Sequence, residues 1–354
     1  MGKSQRAVHP RGKTINILYV MTAPFPAIAG TDAVYQEAAL LKDHFGGDLV
    51  TAYPFKKPRA LIPRQWFGRD LARDAERIRQ QYDCIHLYGA RFLNFPFLKT
   101  VGLPVVYTVS AALGIGLGKR PRWLTYVVSA DPGIVDTVRK SWNIGASHIL
   151  PGIAPPAKNY GPPPGQPPFI ITCASGPWTR RQLQTKGFVL LLETVKKLPD
   201  VRLQLIWRGL YDRELRQLIR RRRASDRVSV ISGDVNVSRY IADGHAAVLL
   251  AENRGLVKSY PHSLIKALQV GRPVILNDQI IMSDFVRTHR CGVVVKSWST
   301  AALCEAIKEL RDNYSEFRQP DMDMARCFST KRFLAEHEKV YTQFGSTDRF
   351  NGET

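Results

Sequence analysis

Residues 168–207, PFIITCASGPWTRRQLQTKGFVLLLETVKKLPDVRLQLIW, contain two apolar runs separated by a segment with helical spacing. The runs from Pro168 to Ala174 and from Val201 to Trp207 are short and rich in Ile, Leu and Val, which is typical of strands in a buried parallel sheet. The segment from Phe188 to Lys197 repeats its apolar residues at the spacing of an amphipathic helix. A strand, a helix and a second strand predict one unit of a parallel sheet.

The same alternation of strands and helices continues on both sides of this unit. Towards the C-terminus, we expect strands at 227–232, 246–251 and 273–277, and helices at 214–223, 263–270, 301–313 and 330–344. Towards the N-terminus, we expect strands at 14–21, 48–53, 82–88, 103–109 and 126–129, and helices at 32–45, 69–81 and 133–142. Strands that alternate with helices predict parallel sheets covered by helices on both faces.

Between the two halves lies a segment rich in proline and glycine, PGIAPPAKNYGPPPGQPP, at residues 151–168. Such a composition is excluded from helix interiors and central strands, so we expect a linker there. The predicted fold class is α/β, with two Rossmann-like, doubly wound domains facing each other across a cleft. The expected domains are residues 1–158 and residues 159–328, followed by a C-terminal helical segment at 329–354.

The charge of the chain favours anionic partners. The 354 residues carry a formal net charge of +21, with 51 Lys and Arg against 30 Asp and Glu. Residues 1–168 hold 21 of these basic residues and 10 of the acidic ones, so both halves are about equally basic. Such a balance favours phosphate-bearing ligands, nucleic acid or an anionic membrane surface. No helix-turn-helix, zinc-finger, KH or RNP signature supports nucleic acid, which we therefore do not expect as a partner.

The five cysteines are scattered, without a C-x-x-C pair, and predict neither a zinc site nor a disulfide framework. We therefore expect no metal, and a reducing cytoplasm as the location of the protein. No apolar run approaches the roughly 18 residues of a membrane-spanning helix. The apolar stretch near the N-terminus is short and interrupted by Pro24 and Pro26, which favours a buried first strand over a signal peptide.

Ligands of open parallel sheets bind beyond the carboxyl ends of the strands, so the loops there contain the candidate site residues. In the loop after the first strand, Gly30 would let the backbone approach a ligand, although a plain turn glycine explains this residue equally well. The loop ASGPWTRRQLQTKG after the strand at 168–174 carries three cations and a glycine before a helix: Arg180, Arg181, Lys186 and Gly187. Cations beside a helix N-terminus suit a diphosphate, and the alternative is a solvated basic loop.

A third such loop, ENRGLVKSYPHSLIKALQVG at residues 252–271, precedes the strand PVILN. Pro261 suits the first turn of a helix. The candidate ligand contacts are the polar and basic residues around this helix start: Lys258, Ser259, His262, Ser263 and Lys266. The three basic members are four residues apart and would share one face if the segment is helical throughout. A basic surface ridge is the alternative interpretation.

These segments resemble the family 4 retaining glycosyltransferases of GT-B fold, and the resemblance covers nearly the whole chain. Its most specific parts are the Lys-Gly pair before an apolar helix, in TKGFVLLLETVKKL, and the segment KSYPHSLIKALQVGRPVI. The segments YDCIHLY, PVVYTVS, VVSADPGIVDTVRKSW, ILPGI and ARCFSTKRFLAEHEKVY follow the expected order. In the family the last helix packs back on the first domain, which implies the same position for residues 330–344.

The resemblance implies that a sugar moves from a nucleotide-diphospho-sugar to a glycan or glycolipid acceptor, with retention of the anomeric configuration. The donor would lie mainly on the second domain and the acceptor on the first. No metal and no cofactor are implied, because the nucleotide sugar is a substrate. The implied catalytic residues are Lys186, Arg181 and Lys258, and the implied donor-binding residues are Gly30, Arg180, Gly187, Ser259, His262, Ser263 and Lys266. Either Arg180 or Arg181 would match the family's phosphate-binding arginine.

Several positions depart from the family pattern. The family usually has two glutamates eight positions apart, which Lys258 and Lys266 replace here. The second glutamate holds the ribose hydroxyls, and an ammonium cannot accept their hydrogen bonds. On the acceptor side, Ser110 stands where a histidine is common, and His86 on another strand is a second candidate. The alternative function is therefore a catalytically impaired GT-B protein that binds a nucleotide sugar or glycan without turnover.

A strongly basic segment lies in the first half of the chain, where residues 56–79 hold eight Lys and Arg against three Asp and Glu. The helix predicted there would place Arg69, Arg73 and Arg77 on one face. With Trp66 just before it, the segment resembles a peripheral anchor for an anionic membrane surface. An ordinary helix docked on its own domain, with a solvated face, explains the pattern equally well.

Overall fold

The structure is a computed structural model that describes residues 15–26, 32–57, 59, 62–89, 94–111, 118–157, 160–165, 167–207, 210–317 and 326–344. The chain divides into two compact units. Unit 1 comprises Met1–Gly152 and Thr330–Thr354, and unit 2 comprises Ile153–Ser329. Among the described residues, no helix is long and apolar enough to cross a membrane.

Unit 1 is built on a parallel sheet. Its described strands are β1 (Ile17–Met21), β2 (Asp48–Thr51), β3 (Cys84–Gly89), β4 (Val105–Val109), β5 (Leu124–Ser129) and β6 (Gly145–His148). Its described helices are α1 (Ala33–Phe45), α2 (Arg69–Arg73), α3 (Ala75–Gln81), α4 (Pro96–Val101), α5 (Pro132–Trp142) and the C-terminal α14 (Thr330–Tyr341). The strand order is β2-β1-β3-β4-β5-β6. Buried apolar side chains form a core on each face of this sheet.

Side-chain caps fix where two of these helices begin. The Asp32 carboxylate accepts hydrogen bonds from the Val34 and Tyr35 N–H groups, each at 2.9 Å. The Asp131 carboxylate accepts one from the Gly133 N–H at 2.9 Å. Caps of this kind typically stabilise a helix by about 1 kcal/mol. The sequence therefore encodes the starts of α1 and α5 locally, independently of the rest of the unit.

Unit 2 is built on a second parallel sheet. Its described strands are β7 (Phe169–Cys173), β8 (Val201–Trp207), β9 (Val228–Ser232), β10 (Ala246–Leu249), β11 (Val274–Asn277) and β12 (Gly292–Val295). Its described helices are α6 (Gln182–Thr185), α7 (Phe188–Lys197), α8 (Asp212–Arg221), α9 (Val237–Ala242), α10 (His262–Gln269), α11 (Met282–His289), α12 (Thr300–Asp312) and α13 (Tyr314–Phe317). The strand order is β12-β11-β10-β7-β8-β9.

The predicted α/β class with two parallel sheets is confirmed. One predicted element differs, because the helix expected at 69–81 is interrupted at Asp74, where φ is −91° and ψ is 13°. The sequence interpretation also missed several short elements, namely β6, α4, α6, α9, α11, β12 and α13. Segments of four to eight residues contain too few repeats for hydrophobic periodicity to identify them.

The proline-rich segment is held in place by side chains of unit 2. The Arg272 guanidinium donates a hydrogen bond to the Gly161 carbonyl at 2.9 Å. His245 Nε2 lies 2.9 Å from the Pro164 carbonyl oxygen, and His245 Nδ1 accepts a hydrogen bond from the Ile170 N–H at 2.9 Å. Residues 160–165 of the expected linker are therefore attached to unit 2.

Helix α14 packs on unit 1 around a buried cluster of polar aromatic side chains. His86 Nδ1 lies 2.5 Å from the Tyr341 hydroxyl, and His86 Nε2 lies 2.7 Å from the Thr108 hydroxyl. Burial lowers the pKa of His86 well below its usual range, with a further lowering from His337, whereas Glu37 raises it. Burial also lowers the pKa of His337 to about 4, against raising contributions from the Phe333 carbonyl and from the Glu37 and Glu336 carboxylates.

We expect unit 1 to lose stability as the pH falls from 7 towards 4. In the unfolded chain both imidazoles bind protons near pH 6.5, but in the folded protein His337 does so only near pH 4. The unfolded state therefore binds more protons over this interval, and the free energy of unfolding should fall by roughly 2–4 kcal/mol. Urea titrations at pH 7, 5.5 and 4.5 measure the effect. His337→Gln should flatten the pH dependence, whereas substitution of the exposed His148 should not; an unchanged dependence in His337→Gln would contradict this account.

Candidate functional site

The order of strands in unit 2 reverses between β7 and β10. From β7 the chain adds β8 and β9 on one side of the sheet, and then places β10 on the other side of β7. Because β7 and β10 are parallel neighbours, the loops that follow them begin at the same carboxyl edge of the sheet. Ligands of open α/β sheets usually bind at such a reversal. The two loops contain most of the donor-side residues predicted from the sequence.

These two loops touch each other on both sides of Lys186. The Glu252 N–H donates a hydrogen bond to the Thr185 carbonyl oxygen at 2.8 Å. A β-carbon at Gly187 would lie 2.8 Å from Leu250 Cβ. The structure therefore brings residues 185–187 against the start of the loop that leads to α10.

Lys186 carries a buried ammonium group. Only 6% of this residue is exposed, and its Nζ donates a hydrogen bond to the Gly176 carbonyl at 2.8 Å and lies 3.5 Å from Ser175 Oγ. Burial raises the pKa of the Cys173 thiol to about 12, and the nearby Lys186 ammonium opposes that rise. These contacts place the positive charge at the carboxyl end of β7. A positive charge at the carboxyl end of a strand in an open α/β sheet lies where ligands of such sheets bind, so this position suits an anionic ligand.

Gly187 occupies a position that only glycine fits without strain. Its φ of +76° lies in the left-handed region, and it directly precedes α7. An added β-carbon would collide with Leu250 and would lie 3.3 Å from Trp298 Cη2. The Lys-Gly pair therefore has a physical basis: glycine lets the chain turn into α7 while Lys186 stays packed beside the loop after β10.

Arg180 and Arg181 lie at the surface, unlike Lys186. Both are exposed, and Arg181 is the N-cap residue of the four-residue helix α6. Neither guanidinium forms an ion pair with a residue that the structure describes. Both are long, positively charged side chains on the loop that carries Lys186.

The N-terminus of α10 lies at the end of the second loop. The helix begins at His262, its N-cap residue is Pro261, and no side chain caps it. The partial positive charge of a helix N-terminus attracts anions. The Ser259 hydroxyl, on a residue with 1% of its surface exposed, has no hydrogen-bond partner among the described residues. An orphaned buried hydroxyl is uncommon and often indicates a missing water or ligand.

The remaining predicted residues of this loop take different positions. His262 is buried at the first helical position, and Ser263 and Lys266 are half-buried on α10. Lys258 is also half-buried but precedes the helix. The prediction that Lys258, His262 and Lys266 share one helical face, which required a helix throughout, is therefore wrong for Lys258. The reason is Pro261, the N-cap residue, whose backbone is extended with φ of −68° and ψ of 128°, so the helix does not continue back to Lys258.

Sequence reasoning missed two residues at this edge of the sheet. Asn277 is buried at the end of β11, donates to the Ala251 carbonyl at 2.7 Å and accepts from the Ala251 N–H at 3.0 Å. It fixes the direction in which the chain leaves β10. Trp298, which follows β12, packs beside Gly187 while exposing much of its indole. Polar and aromatic residues directly after strands were the signal that could have identified both.

The acceptor-side candidates lie in unit 1. His86 is completely buried between β3 and α14, and both of its ring nitrogens lie within hydrogen-bond distance of Tyr341 and Thr108. Ser110 directly follows β4, is half-buried and donates to the Gly89 carbonyl at 3.2 Å. Ser110 thus occupies the usual ligand edge of its sheet, whereas His86 occupies the core. Gly30 lies outside the described residues.

In the described part of the chain, no group of three or more His, Cys, Asp or Glu side chains is placed to hold a metal ion. The loops after β7 and β10 carry the cations Arg180, Arg181, Lys186 and Lys258. Their chemistry is that of phosphate binding, in which ammonium and guanidinium groups donate charge-assisted hydrogen bonds to anionic oxygens.

The segment that contains this site matches a family model. Residues 179–322 match the model described as glycosyl transferases group 1. This match includes the Lys186-Gly187 pair, the loop after β10 and helix α10. No protein with curated annotation matches the sequence.

Solved structures of similar fold cover almost the whole chain. A glycosyltransferase from Rickettsia africae is 12% identical over 93% of this chain and 98% of its own, with a TM-score of 0.66. Sucrose-phosphate synthase from Thermosynechococcus elongatus is 14% identical over 93% and 98%, with a TM-score of 0.65. HepE from Anabaena, solved with UDP and glucose, is 14% identical over 93% and 100%, with a TM-score of 0.63. The chain therefore has the two-sheet α/β fold of GT-B glycosyltransferases, and its residues 179–322 match the group 1 glycosyl transferase model.

Proposed function

We propose that this protein is a glycosyltransferase that uses a nucleotide-diphospho-sugar as donor and a glycan or glycolipid as acceptor. The observation that carries the proposal is the buried Lys186 ammonium at the strand reversal of unit 2, within the segment that matches the family model. Ammonium and guanidinium groups on a loop at this edge of the sheet suit the anionic oxygens of a diphosphate. The proposed donor position is therefore the edge formed by the loops after β7 and β10.

In the proposed reaction the acceptor hydroxyl oxygen forms a bond to the anomeric carbon of the donor sugar. The bond between that carbon and the diphosphate oxygen breaks, and the acceptor proton passes to the departing diphosphate. Lys186, with Arg180 or Arg181, would stabilise the charge that develops on this leaving group. Attack on the face that the diphosphate leaves would retain the anomeric configuration, and it needs no carboxylate nucleophile, metal or cofactor.

A second candidate function is binding of a nucleotide sugar or glycan without turnover. Lys266 supports this candidate, because it stands at the position of a glutamate in the family that the sequence resembles. That glutamate accepts hydrogen bonds from the ribose hydroxyls. An ammonium has no acceptor lone pair for those hydroxyls. The loss of two such bonds would weaken donor binding or displace the ribose.

Turnover of a panel of donors distinguishes the two candidates. UDP-, GDP- and ADP-sugars are each incubated with the protein and mixed glycan acceptors, and release of the nucleoside diphosphate is measured. The transferase proposal predicts acceptor-dependent release from at least one donor. Donor binding without release at any acceptor concentration would favour the binding protein, and the absence of binding to every donor would contradict both.

Lys266→Glu is expected to tighten nucleotide binding. If α10 faces the ribose, the new carboxylate accepts the hydrogen bonds that the ammonium cannot, and the Kd should fall about tenfold. Isothermal titration with the best nucleoside diphosphate measures the change. Lys308→Glu, an identical charge change at an exposed position on α12, is the control and should weaken binding slightly or not at all. Equal effects of both variants would count against the ribose position.

A further inference from the structure

The segment from Tyr53 to Arg69, between β2 and α2, concentrates positive charge at the surface of unit 1. It contains five cations and no acidic residue: Lys56, Lys57, Arg59, Arg64 and Arg69. All five are exposed, and none forms an ion pair with a described residue. We call its described residues, 53–57, 59 and 62–69, the aromatic–basic loop.

The charge of the two following helices is locally balanced. Arg73 pairs with Asp70, Arg77 with Asp74 and Arg79 with Glu76, at 3.1, 2.7 and 2.7 Å. Their apolar residues face inwards, and Ala75 and Ile78 belong to the core of unit 1. The expected cationic helix face at Arg69, Arg73 and Arg77 is therefore largely neutralised, and the net charge of the region lies in the aromatic–basic loop.

Contacts between aromatic rings hold the aromatic–basic loop in a defined shape. Phe67 packs on the core residue Phe95 with ring centroids 5.2 Å apart, and Tyr53 packs on Phe67 at 5.6 Å. Further out, Phe55 lies 6.4 Å from Tyr53, and Trp66 lies 5.8 Å from Phe55. The series connects the core to the surface ring by ring, so the outermost rings stay in place without a ligand.

Backbone contacts close the same loop. The Gly68 N–H donates to the Ala52 carbonyl at 2.8 Å, and a β-carbon at Gly68 would lie 2.6 Å from the Phe97 ring. The Arg59 N–H donates to the Tyr53 hydroxyl at 2.7 Å, and the Arg59 guanidinium lies 4.0 Å above the Phe55 ring. The cations of the loop are thus presented on a preformed surface.

At the outer end of the loop, Trp66 exposes 41% of its surface among these cations. An exposed indole on a segment rich in Lys and Arg is suited to the headgroup region of a bilayer, where its apolar body and polar N–H are both accommodated. A single-stranded nucleic acid would need open ring faces for successive bases, but the Arg59 guanidinium covers a face of Phe55. The surface therefore fits anionic lipid better than nucleic acid.

We propose that the aromatic–basic loop docks unit 1 on the surface of an anionic lipid bilayer. The cations attract the negative headgroups, and Trp66 inserts its indole at the level of the headgroups. The contact is peripheral and does not depend on the donor site of unit 2. It would place a protein of this kind beside acceptors that are themselves anchored in a membrane.

Vesicle flotation tests this proposal with the full chain and phosphatidylcholine vesicles that contain 0 or 40% phosphatidylglycerol. We expect binding only to the anionic vesicles and release at high salt. Lys56→Glu/Lys57→Glu should lower the partition coefficient about tenfold or more. Trp66→Ala should lower it severalfold without altering the salt dependence. The matched control is Arg220→Glu/Arg221→Glu on α8, which makes the same change of net charge at exposed positions of unit 2.

The control separates docking through the loop from attraction through overall charge. Retained binding of the α8 variant, with loss in the loop variants, supports the proposal. Equal loss in both charge-reversal variants would assign binding to the net charge of +21 and overturn the proposal. The absence of binding to anionic vesicles would also overturn the proposal. Binding to heparin and DNA that depends on the loop would overturn it too, if vesicle binding does not depend on the loop. Equal Tm values for all variants exclude unfolding as the cause.

Discussion

Lys186→Met is expected to lower the affinity for nucleoside diphosphates and their sugars about a hundredfold. A charge-assisted hydrogen bond to phosphate contributes about 1.5–3 kcal/mol, and the buried site excludes the water that would otherwise screen it. Methionine retains most of the lysine side-chain volume but removes the ammonium. Methionine removes the hydrogen bond to the Gly176 carbonyl, so the Tm should change little while binding is lost.

Isothermal titration of Lys186→Met with UDP, GDP and ADP measures this loss. Lys197→Met, at an exposed position on α7, makes the same substitution in the same unit and should bind as the original protein does. If both variants bind equally well, Lys186 does not contact the diphosphate. A lowered Tm together with lost binding would indicate a structural role for the ammonium, through its contacts with Gly176 and Ser175.

Arg272→Leu is expected to reduce the free energy of unfolding of unit 2 by about 3–5 kcal/mol. Arg272 is only 3% exposed, and its guanidinium donates to backbone carbonyls at the end of α9, after α10 and in the proline-rich segment. The accepting residues are Ala242, Gly244, Val270, Gly271 and Gly161. Leucine would leave the buried carbonyls of Ala242, Gly244 and Val270 without this donor.

Urea denaturation followed by tryptophan fluorescence measures the change in stability. Arg220→Leu, at an exposed position on α8, should change the free energy of unfolding by no more than about 0.5 kcal/mol. Arg272→Lys should recover only part of the loss, because an ammonium cannot reach carbonyls on three segments at once. A destabilisation below about 1 kcal/mol for Arg272→Leu would mean that water replaces the guanidinium at these carbonyls.

The alternation of strands and helices was readable from the sequence because buried parallel strands and amphipathic helices have different periods. The site was readable in part. Lys186 became a candidate because it lies in the loop that follows β7. The glycine beside it is explained by its positive φ and by its close approach to Leu250. The sequence could not show that Lys186 is buried while Arg180 and Arg181 are exposed, because that difference depends on the packing of the loop after β10.

Two further features depend on contacts between residues far apart in sequence. His86 was an acceptor-side candidate, but it lies within β3 and contacts α14, which begins more than two hundred residues later. Asn277 orients the chain at Ala251, which it reaches only because β11 and β10 are neighbours. Local sequence patterns carry no information on either contact.

The central claim is that a sugar-linked diphosphate binds at the strand reversal of unit 2. Crystal structures of the protein soaked separately with UDP, GDP and ADP test it most directly. The account predicts that at least one nucleotide binds with diphosphate oxygens within hydrogen-bond distance of Lys186 Nζ and close to the N-terminus of α10. A nucleotide bound elsewhere on the chain, with Lys186 still directed only at Gly176 and Ser175, would contradict it.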